Sequence, residues 1–210
     1  MTTNFTTNVE IITSDGVVKT LIVDQERKIT GAYQNFRNIP GALVACYGQW
    51  VEVLDLSHNK LRDVRRLRSM TQLQTLILDH NLIVSTTLFP KLLNLKVLSL
   101  NYNLISDIQL FIPPLARACP NIQHLSLMGN LASVSSVAPT SEKEQEEYRN
   151  FVVSHFEHLQ HLDDQPVSTL ERVRNEKREL TLKEKFLNEI SDIKTACEIR
   201  LQRSLSSTIV

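Results

Sequence analysis

The sequence predicts an α/β solenoid with a curved parallel sheet on its concave face and a helical or irregular convex side. Two observations support this fold class. An eleven-residue pattern occurs four times between residues 51 and 132, and its asparagine recurs at 59, 81, 103 and 130, in steps of 22, 22 and 27 residues. Apolar residues fill the same four positions in every copy. This period indicates stacked units that share one core.

The four copies are VEVLDLSHNKL, LQTLILDHNLI, LKVLSLNYNLI and IQHLSLMGNLA. Each matches the leucine-rich-repeat template LxxLxLxxNxL. In the first copy, Val51, Leu54, Leu56 and Leu61 are predicted to point inward, where each buried side chain contributes about 1.5–3 kcal/mol. The recurrent asparagines are predicted to bond backbone groups at the turn and so form a ladder between repeats. They are therefore expected to be structural.

Two units are predicted before the first full repeat. Residues 9–24 predict a β-hairpin around Asp15-Gly16, a favoured turn pair, and we assign residues 1–28 to this extension. Its expected role is to cover the open first edge of the stack; a partner-specific extension is the alternative. A degenerate capping repeat follows, with its template positions one 22-residue step before those of the first copy: Ile29, Ala32, Gln34, Arg37 and Ile39. Pro40-Gly41 is expected to end its strand segment.

The carboxyl-terminal side of the stack is predicted to close with helices. Pro113-Pro114 is expected to open a short helix, LARAC, that Pro120 ends. Ser141 and Glu144 form a capping box before a further helix. HLQHLDD then repeats the strand half of the template, with Leu159 and Leu162 inward, so the repeat domain is assigned to residues 29–173.

Residues 174–210 are predicted to be an amphipathic helix and tail, after a capping box at Ser168 and Glu171. One apolar stripe runs along the helix at steps of four, four, three, four and four: Leu182, Phe186, Ile190, Ile193, Cys197 and Leu201. The helix either packs on the solenoid or binds a second partner through Phe186, Ile190 and Ile193. The end, Thr208-Ile209-Val210, matches the hydroxyl-x-apolar pattern that PDZ-type grooves bind, but chance accounts for three matched positions more readily than recognition.

Composition and spacing argue against several classes. Lys and Arg total 23, as do Asp and Glu, so no global charge attracts nucleic acid or membrane. Three dispersed cysteines and an amino terminus without a leader pattern predict a reduced, cytoplasmic protein with no membrane insertion. The His155, His158 and His161 run lacks zinc-ligand spacing, and no phosphate loop is present. We expect no catalytic, cofactor-binding or metal site.

The concave face is the candidate binding site. Its residues lie between the template leucines: Val53, Asp55, Ser57, His58, Thr75, Ile77, Asp79, His80, Val97, Ser99, Asn101, Tyr102, His124, Ser126 and Met128. Apolar residues surrounded by hydrogen-bonding groups suit a protein partner. No Lys or Arg stands at these positions, so direct nucleic-acid binding is not expected. A separate arginine run at 62, 65, 66 and 68 is predicted to be a solvated outer face, with an acidic partner or phosphoinositide as the alternative.

Several stretches of the sequence resemble those of known protein families. The segment at residues 148–173, YRNFVVSHFEHLQHLDDQPVSTLERV, resembles the carboxyl-terminal cap that short cytosolic leucine-rich-repeat proteins share with the spliceosomal A-prime protein and the acidic nuclear phosphoproteins. GAYQNFRNIP, LDLSHNKL, LSLMGN and EKEQEEYRNF are similar to the leucine-rich melanocyte differentiation-associated proteins. This resemblance, over about residues 29–173, implies a non-enzymatic adaptor in endosomal or melanosome-like vesicle trafficking, with a Rab-type small GTPase as candidate partner. The alternative is a scaffold subunit of a nuclear ribonucleoprotein complex, like the A-prime protein.

Overall fold

A computed structural model describes residues 6–13, 16–133 and 141–206. Within these residues, nine strands form one continuous sheet in chain order, with five parallel pairings in the middle and antiparallel pairings at both ends. The predicted fold class is confirmed. The chain divides into two compact units, Met1–Ser168 and Thr169–Val210. The finer division at residues 28 and 173 stays a prediction.

The strands are short except for the first two. Their bounds are β1 Thr6–Ile12, β2 Val18–Asp24, β3 Lys28–Thr30, β4 Val53–Asp55, β5 Thr75–Ile77, β6 Val97–Ser99, β7 His124–Ser126, β8 His161–Leu162 and β9 Gln165–Pro166. In β4 to β7 the central leucine is buried and its two neighbours face the opposite side. This alternation follows from the two-residue period of a strand, and it places every predicted inward leucine in the core.

The asparagine ladder is confirmed. Asn81 is typical: its Oδ1 accepts from the Leu61 N–H at 2.9 Å, and its Nδ2 donates to the Leu56 and Leu78 carbonyls at 3.0 Å. Equivalent bonds occur at the other three asparagines. Since each amide bonds its own turn and the previous repeat, the ladder satisfies buried backbone groups that would otherwise be costly to leave unpaired.

The degenerate first repeat is present, but its predicted register is wrong by three residues. Ile29 lies beside Leu54, so the step to the next repeat is 25 residues rather than 22. Gln34, not Arg37, therefore occupies the asparagine position. Its Oε1 accepts from the Thr20 N–H at 3.1 Å and its Nε2 donates to the Ala32 carbonyl at 3.2 Å. The longer amide thus extends the ladder to the hairpin.

The hairpin formed by β1 and β2 covers the first edge of the repeat stack, as predicted. β2 pairs antiparallel with β3, which in turn pairs parallel with β4. Leu21 is fully buried and Ile11 nearly so, which joins the hairpin to the common core. The connecting segment includes Gly16 at φ +76°; Asp15 lies outside the described residues.

Helical segments lie on the convex side. They are α1 Gly41–Tyr47, a 3-10 helix Arg65–Ser69, α2 Ile108–Ala118 and α3 Glu142–His155. The prediction that a short helix starts at Pro113-Pro114 is wrong, because α2 begins earlier and contains both prolines. Asp107 caps it by accepting from the Leu110 N–H at 3.0 Å. Its buried face, which includes Phe111, holds the helix together in spite of the missing N–H groups. It ends before Pro120, as predicted.

The second end of the stack is closed by α3 and the β8–β9 pair. The predicted capping box at Ser141 and Glu144 is confirmed, while residues 134–140 lie outside the described part of the chain. The Tyr148 hydroxyl donates to Asp163 Oδ2 at 2.9 Å, and Asp163 Oδ1 accepts from the Leu127 N–H at 2.7 Å. These bonds attach the helix and the last strands to the final repeat.

The second unit is a helix, α4, spanning Thr169–Ser206. It starts directly after Ser168, where the sequence predicts a helix amino terminus. Phe186, Ile190 and Ile193 lie on one side of it because they are separated by four and three residues. Cys197 and Leu201, at the end of the predicted stripe, are beyond the described side chains. Among the described helices, none is long and apolar enough to cross a membrane.

Candidate functional site: the concave face

The parallel register arranges the predicted site residues in rows across the sheet. One row is Val53, Thr75, Val97 and His124, and the next is Asp55, Ile77, Ser99 and Ser126. Asp79, Asn101 and Met128 follow at the strand ends. The structure therefore brings the predicted concave residues together on one face, where their side chains are partly to largely exposed.

A hydrogen-bond network holds the polar centre of this face. The Ser99 hydroxyl donates to Asp79 Oδ1 at 2.6 Å, and the same oxygen accepts from the Asn101 N–H at 2.9 Å. Asn101 Oδ1 accepts from the Ser126 hydroxyl at 2.6 Å. Because these polar groups are bonded to one another, their positions are held before any partner binds.

A stack of four aromatic rings borders the concave face. Tyr33, His58, His80 and Tyr102 occupy equivalent positions in successive repeats, with ring centroids 4.1, 4.2 and 4.5 Å apart and nearly parallel planes. All four residues have φ between +53° and +59°. The fifth equivalent position is Gly129, at φ +74°. The outer rings remain open to solvent, since Tyr33 is 72% and Tyr102 is 57% exposed.

A second ring pair lies at the carboxyl-terminal end of the sheet. His124 stacks on His161 with centroids 4.7 Å apart. The pair borders a shallow depression of about 240 Å³ that Ser126, Asp163 and Asp164 also line. Burial raises the pKa of Asp163, and the hydrogen bonds from Leu127 N–H and Tyr148 oppose that effect.

The structure extends the face beyond the predicted residues. Ile22 lies beside Thr30, and Thr30 lies beside Asp55, so the second row continues into the hairpin. Ile12, Val18 and Ile22 add exposed apolar side chains there, at 69%, 54% and 44% exposure. The sequence did not lead us to predict them, because the hairpin was expected only to cover the edge of the stack. The two-residue strand period of VKTLIVD does place Val18 and Ile22 on one face.

Basic groups are sparse on this face, which carries the carboxylates of Asp55 and Asp79. Among the described residues, Lys28, beside Val53 on the neighbouring strand, adds a cation to the predicted positions. Such a surface lacks the row of basic groups that phosphate backbones require. The arginine run lies on the other side: Arg65 bonds Asp63 and holds the pKa of that carboxyl below its usual range, and Arg66 donates to the Ile39 carbonyl at 3.0 Å.

Two histidines of the predicted run, His155 and His161, have local contacts. His155 Nδ1 lies 2.8 Å from the Phe151 carbonyl oxygen, and its ring packs on the Phe151 ring. His161 is the stacking partner of His124 described above. Across the described residues, no group of three or more His, Cys, Asp or Glu side chains is placed to hold a metal ion.

The fold is also found among solved structures. The crystal structure of the Drosophila melanogaster SNF/U2A′ complex contains a chain that is 20% identical to this one, with a TM-score of 0.55, over 81% of this chain and 86% of that chain. No family model matches the sequence. No curated protein matches it either.

Proposed function

With the leucine-rich-repeat fold established, we propose that this protein is a non-enzymatic adaptor that binds a protein partner on its concave face. One observation carries the proposal: apolar side chains and a pre-arranged polar network centred on Asp79 share one broad surface with few basic groups. Ile77 stands beside the Asp79–Ser99–Asn101 network, and Tyr102 borders it. Interfaces concentrate their binding energy in such apolar and aromatic residues surrounded by polar contacts.

The finer proposal concerns the cellular role. The resemblance of residues 29–173 to the leucine-rich melanocyte differentiation-associated proteins supports a cytoplasmic adaptor in endosomal or melanosome-like vesicle trafficking. A Rab-type small GTPase is the partner class that this role implies. The α4 stripe at Phe186, Ile190 and Ile193 is proposed to bind a second component, since an adaptor must hold two proteins at once.

A second candidate function is a scaffold subunit of a nuclear ribonucleoprotein complex. It is favoured by the structural likeness to a chain of the SNF/U2A′ complex. In this case the concave face holds an RNA-binding protein and does not itself contact RNA, which fits its lack of basic rows. The two candidates share the binding surface and differ in the partner.

Affinity purification with mass spectrometry tests the proposal. Ile77→Glu combined with Tyr102→Glu places two charges on the concave face and should remove at least one partner. The control is Leu88→Glu with Leu93→Glu, which places two charges at exposed apolar side chains, 60% and 59% exposed, in the segment that connects β5 to β6. Both doubles should melt within a few degrees of the wild type.

The outcomes separate the alternatives. Loss of a partner from the concave double alone supports an adaptor, and loss from both doubles or from neither contradicts it. Recovery of a small GTPase or a vesicle component supports the trafficking role. Recovery of an RNA-binding protein that stays bound after ribonuclease treatment, while components joined through RNA are released, supports the ribonucleoprotein role instead. Phe186→Glu with Ile190→Glu should remove a different partner, which would assign the second site to α4.

A further inference from the structure

The two ends of the sheet differ in how they expose backbone groups. At the carboxyl-terminal end, β9 has two residues and one is Pro166, whose carbonyl accepts from Arg149 at 3.2 Å. At the other end, β1 has seven residues and contains neither proline nor a basic residue. Among the described residues, no strand pairs with its outer side. Proteins usually protect such an edge, and β1, with a single carboxylate as its only charge, remains open to a partner strand.

The hydrogen-bond pattern identifies which backbone groups of β1 face outward. The Thr13 N–H donates to the Val17 carbonyl at 3.0 Å, which makes these two residues a hydrogen-bonded pair at the end of the hairpin. Such pairs alternate along an antiparallel ladder. The backbone N–H and C=O groups of residues 7, 9 and 11 therefore bond to β2, and those of residues 6, 8, 10 and 12 point toward the open side of β1. The Thr20 N–H, which bonds Gln34 rather than β1, agrees with this assignment.

The geometry points to a second copy of this chain as the partner, paired antiparallel through β1 about a two-fold axis at Val9. In this register Asn8 faces Glu10 of the other copy, and Thr6 faces Ile12. The outward backbone groups of both strands then meet in hydrogen-bonded pairs. The interface is isologous, as in most two-fold dimers, and it joins the two sheets edge to edge.

Charge complementarity favours this register. Glu10 is the single charged residue of β1. If the axis lay one residue further toward the carboxyl end, Glu10 of one copy would face Glu10 of the other. Directly opposed like charges are destabilising. With the axis at Val9, each Glu10 carboxylate meets an Asn8 amide, which can donate a hydrogen bond to it. Both side chains are exposed and on the same side of the strand.

Sedimentation velocity over a range of protein concentrations tests the register. The wild type should show a reversible monomer–dimer equilibrium. Asn8→Glu should weaken the dimer by about tenfold, because two like-charge pairs arise by symmetry, and Asn8→Lys should strengthen it by a similar factor. Gln109→Glu and Gln109→Lys make the same charge changes at an exposed position of α2 and should leave the equilibrium unchanged.

Amide hydrogen exchange by NMR provides a second readout. Exchange at Asn8, Glu10 and Ile12 should slow as the protein concentration rises, while Val9 and Ile11 should already be protected in the monomer. A wild type that stays monomeric at all concentrations would overturn the proposal. A dimer that Asn8→Glu and Asn8→Lys affect equally would also overturn it. The same holds for a dimer whose concentration-dependent protection from amide exchange falls outside β1.

Discussion

The ring of Tyr102 lies directly over Gly129. A Cβ built on Gly129 would be 2.4 Å from Tyr102 Cδ1 and 2.7 Å from Cε1, closer than any non-bonded carbon pair. The previous repeats carry side chains at this position, and their rings stack. The aromatic stack therefore ends at Tyr102 because the next repeat has no side chain there.

Gly129→Ala should destabilise the protein by about 2 kcal/mol or more. The left-handed backbone at φ +74° costs a side chain about 1–2 kcal/mol, and the methyl group must displace the Tyr102 ring. Chemical denaturation measures the loss. Tyr102→Ala in the same chain should recover the steric part, so a double-mutant cycle without coupling would contradict the contact.

Asn81→Ala should lower the free energy of unfolding by about 2–4 kcal/mol, because it leaves a buried N–H and buried carbonyls without their partner. Asn81→Asp should be at least as harmful, since a carboxylate oxygen would face the Leu56 and Leu78 carbonyls that the amide now bonds. Gln34→Ala, at the half-exposed end of the ladder, is the control and should cost clearly less in the same denaturation experiment.

The Asp163 carboxyl should make stability depend on pH. Burial raises its pKa in the folded protein, so the folded state binds this proton more tightly than the unfolded state. The contribution of Asp163 to stability therefore increases as pH falls through the raised pKa and levels off below the ordinary value of 3.8.

Asp163→Asn should remove this dependence. The amide can still accept from the Leu127 N–H, so the variant should fold. The difference in unfolding free energy, wild type minus variant, should grow as the pH is lowered from neutral toward 4. A difference that shrinks over the same interval would mean that hydrogen bonding outweighs burial at Asp163.

The two described cysteines should differ in reactivity. Cys46 is exposed on α1, whereas Cys119 is buried, and burial raises its pKa to about 12. In the native protein iodoacetamide should modify Cys46 and spare Cys119, because the thiolate is the nucleophile. Mass spectrometry of a Cys197→Ser variant gives the result directly. Rapid labelling of Cys119 would show that the repeat stack opens locally.

Much of the fold follows from spacing alone. The four asparagines and their leucines define the repeats, and Asp15-Gly16 predicts the hairpin. The register of the first repeat does not follow, because Gln34 replaces asparagine there and the intervening segment is three residues longer than in the next two steps. The start of α2 was missed for a related reason: Pro113 is unfavourable inside a helix, and the packing of Phe111 that outweighs it is a tertiary effect.

The concave site was predictable in part. A two-residue strand period places Val53, Ile77 and Val97 on the open face without a structure. The Asp79–Ser99–Asn101–Ser126 network requires knowledge of side-chain rotamers and inter-repeat distance, and the aromatic stack requires the left-handed turn geometry. Those features come from how repeats are placed side by side, which a single repeat does not encode.

Site-specific photo-crosslinking tests the central claim most directly. A photoreactive residue at Ile77 or Met128 lies on the concave face, and one at Leu88 or Leu93 lies in the segment between β5 and β6. If the concave face binds the partner, the first two positions should crosslink to the same protein and the last two should not. Crosslinks from Leu88 and Leu93 to that protein, with none from Ile77 or Met128, would contradict the account.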